Sequence, residues 1–313
     1  MKSIFYPKLF SVLKEGYTKD LFIKDLFAGV LVGIVALPLA IAIGVASGVT
    51  PTQGIITAII AGFLISMLGG SRYQIGGPTG AFVVIVYSII QNYGIDGLII
   101  STIIAGVFLV LFGFLKLGAL LKFIPHPLIV GFTSGIAVVI FSTQIKDALG
   151  LQINSIPSNF IEKWGVFLEH ISTTNYYSLV ITIITIFIIQ YSKKITGKIP
   201  GSFIALILMS VLVQIFNIPV NTIGDLFSDI SGNISVVFPD IRISELGHYL
   251  SPALTIALLG GIESLLSAVV ADGMTGSNHR SNTELIAQGI ANIVTPFFGG
   301  IPATGAIART ATN

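Results

Sequence analysis

Eight stretches of the chain are apolar over nearly the length that a bilayer crossing requires. A helix needs about 20 such residues to span the hydrocarbon core. Charged residues make up only 10% of the sequence, whereas they make up roughly 25% of ordinary soluble domains. The pattern therefore predicts an all-α, multi-pass membrane protein. The predicted spans are residues 25–46, 52–69, 98–115, 128–148, 176–192, 201–217, 250–271 and 284–298.

Two further apolar segments are shorter, and each begins at nearly the same phrase. The phrases are GGPTGAFVV at 76–84 and GGIPATGAIART at 299–310. Segment 78–92 would be about 22 Å long as a helix, which is too short to cross alone. The preceding SRYQIGG would have to complete the crossing as extended backbone, which is tolerated only beside protein or a water-filled cavity. The sequence thus predicts half-helices that begin inside the membrane, at 78–92 and from 302 onward.

Positive charges test whether 78–92 counts as a crossing. With a cytoplasmic N-terminus and 78–92 as the third crossing, eleven Lys and Arg residues fall on the inner side and three on the outer side. The two phrases then begin crossings three and ten, so they enter from opposite faces, as in an inverted repeat. A seven-plus-seven architecture would continue past Asn313. We therefore expect this chain to be a fragment, incomplete at its C-terminus.

The broken segments have a direct chemical use. The first amides of a half-helix are unpaired, and its N-terminus carries about +0.5 of an elementary charge, which attracts an anion. Alternatively, the Gly-Pro pairs only end helices in loops, but their repetition at an odd interval favours the anion site. Thr79 and Thr304 could cap a helix or donate a hydroxyl, while Gly80, Ala81, Gly305 and Ala306 leave their amides accessible to a ligand.

Two ionisable residues lie at membrane depth. Glu263 sits within LTIALLGGIESLLSAVV, where a charge costs about 3 kcal/mol. It is either a protonated packing residue or a carrier of a proton or cation, helped by Ser264 and Ser267. Arg309 either adds a fixed positive charge to the site or pairs with an acid such as Glu263.

Several function classes find no support in the sequence. The chain has no cysteine, its four histidines are scattered, and its basic residues form no patch for nucleic acid. It has no H-E-x-x-H pair, and GFTSG at 131–135 lacks nucleophile-elbow spacing. We expect no enzyme activity, no catalytic residues and no cofactor, with Na⁺ at Glu263 and Ser267 as the one possible bound metal.

Small residues and an amphipathic stretch complete the pattern. The stretch at 158–171 predicts an interfacial helix. Glycines four residues apart predict close helix packing, and the pairs are Gly29/Gly33, Gly44/Gly48 and Gly131/Gly135.

Four stretches together resemble the SulP family of sulfate permeases and related anion transporters and exchangers. They are KDLFAGVLVGIVALPLAIAIGVASGVTP, GGSRYQIGGPTGAFVVIV, FIPHPLIVGFTSGIAV and NTELIAQGIANIVTPFFGGIPATGAIARTATN. The resemblance implies a dimeric, fourteen-segment transporter with core and gate domains, followed by a cytoplasmic STAS domain. It places the anion between segments three and ten, with an acid of segment eight beside it. The residues that match are Thr79, Gly80, Ala81, Phe82, Thr304, Gly305, Ala306 and Arg309 for the anion, and Glu263 and Ser267 for a coupling ion.

The chain departs from the family pattern at two positions. Leu39 follows Pro38 where many members have glutamine, and Ala308 precedes the arginine where many have serine. The sequences ALPLA and PTGAFVV are more similar to those of a bacterial branch of the family that includes C4-dicarboxylate and bicarbonate carriers. Segments eleven to fourteen and the STAS domain are absent from this sequence.

These observations lead to one functional prediction. Residues 1–24 form a cytoplasmic N-terminal segment and 25–313 a transmembrane domain of a bacterial inner-membrane protein. It is a secondary active transporter of a small inorganic or carboxylate anion, namely sulfate, bicarbonate or a C4-dicarboxylate. An elevator-like movement would be coupled to H⁺ or Na⁺ through Glu263. The alternative is a passive anion channel or an uncoupled exchanger.

Overall fold

The computed structural model describes residues 5–119, 126–153, 156–157, 159–195, 201–226, 236–239 and 246–313. Twelve α-helices lie in these ranges, together with two short strands. Much of the stretch between the predicted spans 201–217 and 250–271 falls outside the described residues, as do three of the lysines counted on the inner side, Lys2, Lys122 and Lys198. The helices are α1 Lys8–Gly16, α2 Lys19–Ala46, α3 Pro51–Leu68, α4 Val83–Phe114, α5 His126–Leu149, α6 Phe160–Glu169, α7 Tyr176–Ile195, α8 Gly201–Phe216, α9 Ile223–Leu226, α10 Leu246–Thr275, α11 Ser281–Val294 and α12 Ile307–Thr310.

Four helices in the described ranges are long and apolar enough to cross a membrane. They are α2, α3, α10 and the segment Gly80–Phe114, which joins a 3-10 turn to α4. The predicted spans 25–46, 52–69 and 250–271 correspond to the first three. The predicted segments 78–92 and 98–115 both lie in Gly80–Phe114, where Gly94 breaks the helix with φ 69° and ψ −172°. The prediction of an all-α membrane fold is confirmed, while the inverted repeat stays a prediction.

The chain divides into two compact units. The first contains residues 1–133 and 231–313, and the second contains residues 134–230. In the second unit, α7 packs on α8, and Phe167 of α6 is buried with Leu151 and Ile153. The helix α6 occupies the stretch that was predicted to be amphipathic and interfacial.

The first unit holds both repeated phrases, with α4 packed against α10 and α11, and α3 against α2 and α11. Small residues make this packing close: Ala61 of α3, Ala291 of α11 and Ala303 are fully buried together with Ile65. A capping box at Thr50 and Gln53 begins α3, with Pro51 in the first helical turn. These helices surround the segments 70–82 and 299–306, most of whose residues are buried.

A close helix crossing lies between Gly106 of α4 and Gly289 of α11. A Cβ atom on either glycine would lie 2.6 Å from the carbonyl oxygen of the other. Of the glycines predicted to mediate packing, Gly44 does lie against Gly54 of α3. The prediction is not confirmed for Gly29, Gly33, Gly131 and Gly135, because no described atom lies within 4 Å of a Cβ built on any of them.

We expect Gly106→Ala to destabilise the protein by about 1–3 kcal/mol, since its methyl group would meet backbone that cannot move aside cheaply. The change should appear as a lower apparent melting temperature of the purified protein in detergent. Gly29→Ala is the matched control, because its methyl group meets nothing within 4 Å. Equal melting temperatures for the two variants would contradict the close crossing.

Candidate functional site

The two repeated phrases meet in space. Strand β1, Gly76–Gly77, pairs antiparallel with strand β2, Thr304–Gly305. Gly76 lies opposite Gly305 and Gly77 opposite Thr304, and the amide of Ala306 extends the pairing with a 2.8 Å bond to the carbonyl of Ile75. The non-helical backbone predicted within SRYQIGG is therefore present. This backbone is held by the pairing with β2 and by a 3.1 Å hydrogen bond from the amide of Ile75 to the Thr310 hydroxyl, as non-helical backbone in a membrane protein requires.

Two glycines allow side chains to lie directly on this ladder. A Cβ atom on Gly77 would lie 2.0 Å from Nη1 of Arg309, and Gly77 has φ +152°. A Cβ atom on Gly305 would lie 1.9 Å from Nε2 of Gln74. The conformation and the close approaches both require glycine at these positions.

Arg309 lies in α12 and is 1% exposed. Its Nη2 donates to the carbonyl of Pro78 over 3.0 Å, so the arginine of the second phrase reaches the first. Among the described residues its Nε has no hydrogen-bond partner. Within the described ranges neither ion pair includes Arg309, so the pairing with Glu263 that the sequence left open is not found there. A buried guanidinium without a carboxylate is a strong attractor for an anion.

Glu263 of α10 instead binds the first phrase. Its Oε2 accepts a 3.0 Å hydrogen bond from the hydroxyl of Thr79. Thr79 occupies the N-cap position of the turn Gly80–Phe82, but its side chain makes no capping bond. Both Glu263 and Thr79 are partly exposed. Their hydrogen bond places the carboxylate beside the start of the half-helix.

The start of the first half-helix offers unpaired amides. The amide of Phe82 donates to Thr79 over 3.2 Å, and Phe82 itself is buried. Among the described residues, the amides of Gly80 and Ala81 have no acceptor. From Gly80 the helix continues to the bend at Gly94, so these amides lie at its positive end.

Most polar groups of the second phrase are hydrogen-bonded within the protein, whereas the sequence predicted that they would be open to a ligand. The Thr304 hydroxyl donates to the carbonyl of Gly260 over 2.8 Å and lies 2.7 Å from the hydroxyl of Ser264. The amide of Gly305 donates to Ser264 and that of Ala306 to Ile75, so neither is free for a ligand. These residues hold the ladder against α10. In the described part of the chain the unpaired amides near α12 belong to Ile307, Ala308 and Arg309.

Ser267 lies one helical turn beyond Glu263 but contacts a different partner. Its hydroxyl is buried and lies 3.1 Å from that of Thr310, which also accepts from the amide of Ile75 over 3.1 Å. The described residues contain no cluster of three or more His, Asp or Glu side chains that could hold a metal ion. A sodium site at Glu263 and Ser267 stays a prediction.

Sequence reasoning missed the side chains that support the second phrase. Asn292 of α11 donates to the carbonyl of Ala303 over 2.8 Å and accepts from its amide over 2.9 Å. The Thr57 hydroxyl accepts from the amide of Ile301 over 2.8 Å. A signal was available for α11, because buried polar residues recur there every four positions, at Glu284, Gln288 and Asn292.

Comparison with known proteins gives a consistent result. The model of the sulfate permease family matches residues 22–313. The sulfate transporter candidate YvdB of Bacillus subtilis is 49% identical over 307 residues, which cover 97% of this chain and 58% of YvdB. The bicarbonate transporter BicA of Picosynechococcus is 32% identical over 303 residues, covering 92% of this chain and 53% of BicA. The chain thus spans somewhat more than half the length of these relatives.

Solved structures agree on the fold. The transmembrane domain of a cyanobacterial bicarbonate transporter BicA matches with a TM-score of 0.78 at 30% identity, over 92% of this chain and 75% of that domain. Murine Slc26a9, an anion transporter in the inward-facing state, matches with a TM-score of 0.83 over 97% of this chain and 54% of that chain. At 17% identity the second match supports the fold alone.

Proposed function

The chain belongs to the sulfate permease family, and from this membership we propose that it transports a small anion across the membrane. The candidate anions are sulfate, bicarbonate and a C4-dicarboxylate. The named relatives are sulfate and bicarbonate transporters. The family consists of transporters rather than enzymes, as the sequence predicted. The molecule is an integral, multi-pass membrane protein.

One observation carries the proposal: a buried arginine without a carboxylate lies on a ladder that joins two broken membrane segments. Arg309 supplies a fixed positive charge beside Pro78. The unpaired amides of Gly80 and Ala81 lie at the start of the adjacent half-helix. An anion bound there would complete hydrogen bonds that the described protein leaves open.

The position of Glu263 supports coupling to a cation. Its carboxylate is bonded to Thr79, next to the amides that would bind the anion. An ionised Glu263 carboxylate would repel an anion bound at these neighbouring amides. A proton or Na⁺ bound to the carboxylate removes the repulsion. Binding of the anion and of the cation would therefore favour each other, which is the requirement for symport. An elevator-like movement of the unit that holds the site is the mechanism proposed with it.

A passive channel or an uncoupled exchanger would use the same anion site. Neither needs a titratable group beside it, so the Thr79–Glu263 contact favours the coupled carrier. Single-channel current at fixed voltage in a planar bilayer would support the channel and contradict the carrier.

We also propose an orientation and an oligomeric state for the protein. A cytoplasmic N-terminus in a bacterial inner membrane accounts for the uneven distribution of Lys and Arg between the two sides. We propose a homodimer, which mass measurement in detergent would test.

Transport by the full-length protein in proteoliposomes tests the function. We expect accumulation of one labelled anion among sulfate, bicarbonate and succinate when a proton or a sodium gradient is imposed. Collapse of that gradient should stop accumulation. No uptake of any of the three anions above that of empty liposomes would contradict the proposal.

A further inference from the structure

Helix α1 turns its polar side chains toward the protein. Lys8, Ser11 and Glu15 recur every three or four residues, which places them on one face. This face contacts the loops before β1 and before α11. Lys8 Nζ donates to the carbonyl of Asn278 over 2.8 Å, the Ser11 hydroxyl accepts from Nη2 of Arg280 over 2.8 Å, and Glu15 pairs with Arg72.

The backbone that leads into α1 is held by the same loops. The amide of Lys8 donates to the carbonyl of Gly69 over 2.8 Å. Nη1 of Arg280 donates to the carbonyl of Tyr6 over 2.9 Å, and its guanidinium lies over the Tyr6 ring. The orientation of α1 is therefore fixed by several bonds on one side.

The opposite face of α1 is apolar and uncovered. Leu9, Phe10 and Leu13 are adjacent on this face and are 40%, 49% and 51% exposed. A helix on a water-soluble protein would bury this face and expose Lys8, Ser11 and Glu15. The observed orientation is the reverse, which indicates that the medium outside α1 is apolar.

The bilayer lies next to α1 along the chain. Only Tyr17 and Thr18 separate α1 from α2, the first candidate membrane helix. The first turn of α2 already exposes apolar side chains, with Leu21 at 41% and Phe22 at 55%. A helix joined to this point by two residues lies at the level where the membrane begins.

Charge around α1 favours anionic lipid. The stretch 8–25 contains four lysines against three acids, and Arg72 and Arg280 add two cations at the loops that hold α1. Lys14 is exposed and borders the apolar face. Burial, together with the nearby guanidinium groups of Arg280 and Arg72, lowers the pKa of Lys8, as expected where cations are crowded. Positive residues beside an amphipathic helix attract acidic headgroups.

We propose that α1 is an interfacial helix that binds the anionic lipids of the adjacent leaflet. Leu9, Phe10 and Leu13 enter the region between headgroups and acyl chains, and Lys14 contacts lipid phosphate. Because the other face of α1 is bonded to the loops before β1 and α11, bound lipid holds both loops at a fixed depth.

Spin labelling tests the placement. The chain has no cysteine, so a single Phe10→Cys substitution can carry a nitroxide without other changes. Asn278→Cys is the control, since residue 278 is exposed on the loop that holds the polar face. In nanodiscs that mix phosphatidylglycerol with phosphatidylcholine, we expect the label at 10 to be relaxed more by dissolved oxygen than by a water-soluble nickel chelate. The label at 278 should show the opposite order.

The second measurement changes the lipid charge or removes the charge of Lys14. In phosphatidylcholine alone, or after Lys14→Gln, the label at 10 should become more accessible to nickel. Lys194→Gln is the matched control, because Lys14 and Lys194 each lie over a tyrosine ring, at 5.5 and 5.1 Å. Labelling at Leu13→Cys should reproduce the result if position 10 is sensitive to substitution.

Three outcomes would overturn the proposal. Equal nickel accessibility at 10 and 278 would place α1 in water. A label at 10 that neither reagent reaches would mean that protein covers this face. The same depth of the label at 10 with and without phosphatidylglycerol would exclude selection of anionic headgroups.

Discussion

Replacing Glu263 with Gln should lower gradient-driven accumulation of the anion by about 10- to 100-fold, the usual size of a coupling between two ligands. Glutamine keeps the shape of the side chain and an oxygen that can accept the hydrogen bond from Thr79, but it can neither gain nor lose a charge. The anion should therefore still bind, while its uptake no longer responds to the imposed gradient. Initial uptake into proteoliposomes with and without that gradient measures the effect.

Glu169→Gln is the control for this substitution, because Glu169 is an exposed carboxylate at the end of α6 in the other compact unit. It should leave uptake unchanged. If the Glu263→Gln protein still accumulates the anion to the same level under the same gradient, Glu263 is not the coupling group. Loss of both accumulation and anion binding would point instead to a structural role for the Thr79 contact.

Replacing Arg309 with Gln should raise the anion concentration required for half-maximal uptake by about 10- to 100-fold, because a charge-assisted hydrogen bond contributes about 1.5–3 kcal/mol. Glutamine can still reach polar atoms near Pro78 but supplies no charge. Arg309→Lys should give an intermediate value, since it keeps the charge and loses the planar donor group that lies on Gly77. The concentration dependence of uptake measures both variants.

The control for Arg309 is Arg72→Gln. Arg72 lies in the same non-helical segment as β1 but pairs with Glu15 at the surface. We expect little change in the anion requirement for this variant. An unchanged requirement in Arg309→Gln, with a normal melting temperature, would show that the buried guanidinium does not bind the anion.

The elements that were predicted correctly depend on local patterns. The apolar spans that correspond to α2, α3 and α10, the break between segments 78–92 and 98–115, and the extended backbone before Pro78 follow from hydrophobic length and from glycine and proline. That the two phrases lie together was implied by the resemblance to the SulP family, which places the anion between segments three and ten. Neither inference required knowledge of which helix packs on which.

The details that were missed depend on partners far apart in the sequence. Four-residue glycine spacing does not show whether a neighbouring helix is present, so it selected Gly29 and overlooked Gly106 and Gly289. The amides of Gly305 and Ala306 looked free because their acceptors, Ser264 and the carbonyl of Ile75, are brought to them only by folding. For the same reason the sequence offered Arg309 as a partner of Glu263, whereas the structure pairs Glu263 with Thr79.

The ladder between β1 and β2 has a consequence for how the proposed anion would be released, because it limits how the two broken segments can move. Pulling the two broken segments apart would rupture the paired strands, the Ala306–Ile75 bond and the link from Arg309 to Pro78 at once. These groups are shielded from water, so nothing would replace the bonds during the separation. In the proposed transport cycle, moving both segments together as one piece would therefore cost less than separating them.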